Sequence, residues 1–137
     1  MSQKEQKSCA CGGKTTLVFP CSGAADTGEI ADRAARIFAT SGCAGMSCLA
    51  GVGANISGFI ASAKGADRLL VVDGCPMECA RKTLAEKGIT ENIVYLRVTD
   101  LGFVKGKSPV TTERIDMVVA ELGKRMSVSF LAQEQPC

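Results

Sequence analysis

The sequence predicts an α/β protein, with helices covering both faces of a mostly parallel sheet, and three observations carry that reading. β-rich runs and helical stripes alternate along the chain four times over. Leu69-Leu70-Val71-Val72 is continuously apolar, the pattern of a strand buried on both faces. The 137 residues suffice for one hydrophobic core but not for two ordinary ones. With right-handed crossovers, these give a three-layer α/β/α sandwich over residues 14–137, of Rossmann or flavodoxin-like type. Its sheet has about four strands, expected in the order 2-1-3-4.

The elements follow in order. Residues 1–13 show no periodicity and read as a flexible, cysteine-containing arm. Thr15-Thr16-Leu17-Val18-Phe19-Pro20 is a β-rich first strand. Asp26, with Glu29 three residues on, forms a capping box for a first helix over 27–41, striped by Ile30, Ala34, Ile37 and Phe38. Gly45 to Ala50 is a weak second strand or a loop. Asn55 caps a second helix, whose face is Ile56, Phe59, Ile60 and Ala63. The third strand, 69–72, stops at Asp73-Gly74, and Pro76 stands where a helix would begin. Gly88 ends that helix. Ile93-Val94-Tyr95-Leu96, with Val98, is a fourth strand. A long loop from Asp100 to Thr112 is expected to lie over the site. Ile115, Val118, Val119, Leu122 and Met126 stripe the last helix.

Composition excludes several classes of function. A net charge of +2 offers no basic field for nucleic acid, and 4% aromatics offer no stacking platform. The absence of histidine removes Ser-His-Asp and Cys-His catalysis and imidazole ligation. The polar N-terminus lacks the apolar core of a signal peptide, so a cytoplasmic location is expected. Residues 37–63 carry no charge, but their glycines, serines and Asn55 read as buried soluble structure rather than a membrane span.

The unusual count is eight cysteines. In a reducing compartment that points to metal ligation or redox chemistry rather than a disulfide framework. Cys21 follows the first strand, Cys48 lies in or after the second, and Cys75 follows the third, with Cys79 four residues on. Ligands of open α/β sheets bind at the carboxyl ends of the strands. If the order begins 2-1-3, these thiols converge on one edge. Placed at a helix start, Cys75 and Cys79 are expected to face the same side, where the helix dipole favours thiolate. Arg81 or Lys82 would offset the negative charge of a tetrathiolate site, and four thiolates satisfy zinc without histidine.

Asp73-Gly74-Cys75-Pro76-x-x-Cys79-Ala80-Arg81-Lys82 resembles the signature of the DGC-motif family of zinc-binding proteins. Cys21-Ser22-Gly23 is similar to that family's first cysteine segment, and Met46-Ser47-Cys48-Leu49-Ala50-Gly51-Val52-Gly53 to its second. Leu101-Gly102-Phe103-x-Lys105 resembles a further segment, so the resemblance spans residues 15–107. It implies a small prokaryotic α/β protein with a metal site at Cys21, Cys48, Cys75 and Cys79. It implies no activity.

Three functions compete. The first is a zinc-binding protein with those four cysteines as ligands. The second is a thiol-based redox enzyme, or one handling sulfur, selenium or arsenic, with Cys75 as nucleophile and Cys79 or Cys21 as resolving thiol. The third is an iron–sulfur electron-transfer protein. The expected partner is a metal ion, not nucleic acid or a membrane; a protein partner and a small thiol or oxyanion substrate both stay open. Cys9 and Cys11 are incidental thiols of the arm or a tight pair suited to soft metals, Cys43 is a packing residue, a substitute ligand or a resolving thiol, and Cys137 ends the chain. Asp73 is read as an acid, an acceptor or a helix cap, and Gly51-Val52-Gly53 as a tight turn rather than an anion cradle.

Overall fold

In a computed structural model, which describes residues 14–133, four parallel strands form one sheet in the order β2-β1-β3-β4. They are β1 (Thr16–Pro20), β2 (Gly45–Met46), β3 (Arg68–Asp73) and β4 (Ile93–Arg97). Five helices connect and cover them: α1 (Asp26–Phe38), α2 (Leu49–Gly53), α3 (Ser57–Gly65), α4 (Cys79–Glu86) and α5 (Thr112–Gln133). The expected order and parallel arrangement are both present.

Strand alternation sorts the core into two layers. Val18, Leu70, Val72 and Leu96 point to one side and pack with Ile30 and Ala34 of α1 and Ile115, Val118 and Leu122 of α5. Phe19, Leu69 and Val71 point to the other and pack with Val52, Ala63, Ala80 and Leu84 from α2, α3 and α4. β3 is buried along its whole length, as its unbroken apolar run requires.

Several local expectations are corrected. α1 is capped at Ala25 without a side-chain bond, so Asp26 is not the N-cap. Its carboxylate instead accepts the N–H groups of Gly106 (2.8 Å) and Ser108 (2.9 Å), and Glu29 pairs with Arg33 at 3.2 Å. α1 stops at Phe38 and passes into a π-helical turn, Ala39–Cys43, with Gly42 at φ 95°. Of the segment 45–50, expected as a weak strand or a loop, β2 keeps two residues, and a short helix begins at Leu49 and takes in the expected turn at Gly51–Gly53. Asn55 is a left-handed turn residue (φ 66°), and Ile56 caps α3. Gly51 is needed there because a side chain would run into the ring of Phe59. α4 begins at Cys79 rather than Pro76. Gly88 ends it as expected, at φ 76°, with N–H groups of Gly88 and Ile89 returning to Ala85 and Leu84. The uncharged run 37–63 is broken into these short elements, and no described helix is long and apolar enough to cross a membrane.

Candidate functional site

β1 lies between β2 and β3, so Cys21, just beyond its end, sits between Cys48 on one side and the Cys75–Cys79 turn on the other. The Cys21 N–H bonds to the Val72 carbonyl at 2.9 Å, carrying the β1–β3 ladder one residue further. The backbone N–H groups of Gly23 and Gly74 lie close enough to the Cys21 sulfur to favour its thiolate. Burial pushes the thiol up from its ordinary value. The two amides oppose that rise, and the charges of Asp73 and Cys79 add to it.

Cys48 is exposed at the N-cap of α2, where its sulfur accepts the Gly51 N–H at 3.3 Å. Cys21 and Cys48 line one open cleft of about 690 Å³, whose other walls include Arg36, Ser47, Leu49 and Phe59. Cys75 is partly buried in the turn after β3, its carbonyl accepting the Glu78 N–H at 3.1 Å. Cys79 is exposed at the first position of α4. Cys75 therefore lies in the turn before the helix, and the two cysteines do not share a helical face.

The residues of the Asp73-Gly74-Cys75 motif have separable tasks. Asp73 is 1% exposed, and its carboxylate accepts the N–H groups of Ala80 (2.7 Å) and Arg81 (3.1 Å) and the hydroxyl of Tyr95 (2.9 Å). It caps α4 and ties that helix to β4. Burial, then the charge and hydrogen bond of Asp73, holds the Tyr95 hydroxyl well above its ordinary value, so the phenol remains a donor. Gly74 lets α1 approach: a Cβ there would lie 2.7 Å from the backbone of Thr27 and Gly28. Cys75 carries the thiol.

Glu78, before Cys79, is left-handed (φ 57°), and its carboxylate meets Arg97 at 2.9 Å. The loop after β4 reaches back to the N-terminus of α1 through the Asp26 bonds, which places Lys105 and Lys107 on either side of the pinned Gly106. The Gly51-Val52-Gly53 segment is part of α2, with Gly51 against Phe59, and forms no anion-cradling loop.

The four cysteines share one edge but not a finished coordination shell. Among the described residues, no three Cys, Asp or Glu side chains are grouped so as to hold a metal ion. Cys9, Cys11 and Cys137 lie outside the described residues, and Cys43 ends the π-helical turn.

Tyr95, Arg97 and the Asp26 clamp were not anticipated. The pairing Val71–Tyr95 and Asp73–Arg97 puts Tyr95 and Arg97 on the Asp73 face. A tyrosine and an arginine alternating within an apolar strand are a visible signal for a polar cluster. Their partners depend on the register of β3 against β4.

A strand-end motif of this kind, on a small parallel sheet, defines a family. The model of the DGC domain matches residues 17–122, and the chain belongs to that family. The matched range includes Cys21, Cys48, Cys75 and Cys79. The chain is also 30% identical, over 89 residues, to the anaerobic and virulence modulator AnvM of Pseudomonas aeruginosa, a match covering 65% of this chain and 67% of that protein. No solved structure matches.

Proposed function

We propose that the chain is a metal-binding protein that holds zinc through the thiolates of Cys21, Cys48, Cys75 and Cys79. The observation that carries this reading is the descent of four thiols from the ends of three adjacent strands onto the carboxyl edge of the sheet. The donor chemistry suits zinc: four sulfurs, no histidine, and arms of about 2.3 Å. The sulfurs are not gathered beforehand, so binding on this reading assembles the shell. Cys48 and Cys79 are exposed, which leaves their side chains room to turn inward. Uptake is then coupled to local ordering and to proton release. Bound zinc would cross-link the ends of β1, β2 and β3.

A second reading, thiol redox or sulfur, selenium or arsenic handling, has an observation of its own. Cys79 is exposed at a helix start, the setting of reactive rather than structural cysteines. Elemental analysis and a visible spectrum of anaerobically purified protein decide between the two. Colourless protein with about one zinc per chain supports the first reading. Metal-free protein with rapidly alkylated thiols supports the second. Brown protein with thiolate-to-iron bands replaces both with an iron–sulfur centre.

A further inference from the structure

We propose that Arg97 and Tyr95 of β4 are positioning residues for the thiol site, bracing Cys79 through the residues on either side of it. The proposal rests on the reading of Cys79 as a site thiol given above.

The bracket is built from both ends. Glu78, immediately before Cys79, is held in a left-handed conformation at φ 57°, which residues bearing a side chain adopt only against a steric cost. Its carboxylate accepts from Arg97 Nη1 at 2.9 Å, and Arg97 is itself fixed by a bond from Nε to Asp100 at 3.1 Å. Ala80, immediately after Cys79, gives its N–H to one oxygen of Asp73. The other oxygen accepts the Arg81 N–H and the Tyr95 hydroxyl. Arg81 closes the ring, its guanidinium 4.6 Å over the Tyr95 ring and 3.8 Å from the Glu78 carboxylate.

Tyr95 and Arg97 are two apart on β4, so they project from the same face. One stands opposite Val71 and the other opposite Asp73. β4 is paired with β3 along its whole length, and such a strand is a stiffer mount for the turn than the loop itself. Arg97 and Glu78 are each about three-quarters shielded from water, with 28% and 23% of their side chains exposed, so the pair is stronger than an open surface bridge. Without Arg97, the strain at Glu78 is unopposed. The peptide before Cys79 then relaxes, and the sulfur moves with it.

The test compares the wild-type full chain with Arg97→Gln, Arg97→Lys and Tyr95→Phe. Zinc affinity is measured anaerobically by competition with a chromophoric chelator, and ligand geometry by the visible spectrum of cobalt(II). Arg97→Gln should bind zinc about tenfold or more weakly, the usual effect of losing a group that orients a ligand. Its cobalt spectrum should shift, while the melting of the metal-free protein stays near wild type. Arg97→Lys, which keeps the charge but not the fork, should recover part of the affinity. Wild-type affinity and an unchanged cobalt spectrum in both Arg97→Gln and Tyr95→Phe would overturn the positioning role. If the wild type takes up no metal, the zinc reading falls separately, and the brace is decided on the thiols. The rate of Cys79 alkylation, resolved from Cys48 by mass spectrometry, should then change several-fold in Arg97→Gln while that of Cys48 does not. An unchanged Cys79 rate would overturn the brace.

Discussion

At the residue scale, the site depends on two contrasts, one steric and one of charge. Gly74 has no room for a side chain, because a Cβ would enter the backbone of α1 at 2.7 Å. Gly74→Ala should therefore cost about 1–3 kcal/mol, the usual range for overpacking, measured by denaturant unfolding of the reduced protein. Gly58, whose added Cβ would meet nothing within 4 Å, provides the control. Cys21 is the thiol that burial holds protonated. Its folded value lies above the ordinary 9.0, so the folded state keeps a proton that the unfolded chain releases. Stability should be steady below that value and fall as pH rises from it through the raised folded value. Cys21→Ala should flatten the decline in metal-free unfolding curves. For the same reason, the exposed Cys48 and Cys79 should be alkylated well before Cys21 at neutral pH, as mapped by mass spectrometry.

At the element scale, the loop between β4 and α5 packs Leu101, Phe103 and Val110 against the core and is further secured by a carboxylate. Asp26 receives the N–H groups of Gly106 and Ser108, which hold its carboxyl below the ordinary 3.8. The clamp is intact above the unfolded value and is lost as pH falls from about 3.8 through the lowered folded value. Hydrogen exchange should show the amides of Gly106 and Ser108 losing protection in that window, and at neutral pH in Asp26→Ala. Unchanged protection in Asp26→Ala would mean that the Ser108–Val104 bonds and the apolar packing hold the loop without the carboxylate. α5 is held differently, by a buried stripe. Leu122→Ala should cost about 2–5 kcal/mol in denaturant unfolding. Met117→Ala, at a half-exposed position on the same helix, should stay within about 0.5 kcal/mol.

At the scale of the whole molecule, zinc binding would join three strand ends that the sheet brings near one another. Zinc-loaded protein should melt above metal-free protein, by an increment that grows with free zinc. Cys79→Ser should lose most of the metal affinity and most of that increment. Removal of residues 1–13 deletes Cys9 and Cys11 but none of the described elements, so the truncated chain should keep both. Loss of metal on truncation, with Cys79→Ser unaffected, would move the site to the N-terminal cysteines.

The sequence by itself determined the architecture. The alternation of strand and helix signals, and the apolar run of β3, dictate a parallel sheet covered on both faces, because only that arrangement buries Leu69 through Val72 from both sides. It also determined which cysteines reach the carboxyl edge, since Cys21, Cys48 and Cys75 stand one or two residues past a strand end and Cys79 starts the helix that follows β3. Tertiary structure decided the local starts and the braces. Pro76 and Asn55 look like helix starts on local propensity, but α4 waits for the Asp73 carboxylate at Ala80 and Arg81, and α3 for Ile56. Asp26 has the form of a cap and serves a loop some eighty residues away, at separations of 80 and 82. Tyr95 and Arg97 acquire their partners only through the register of β4 on β3. Propensity and periodicity act over a few residues. A hydrogen bond between strand neighbours joins residues that only the folded sheet brings within reach.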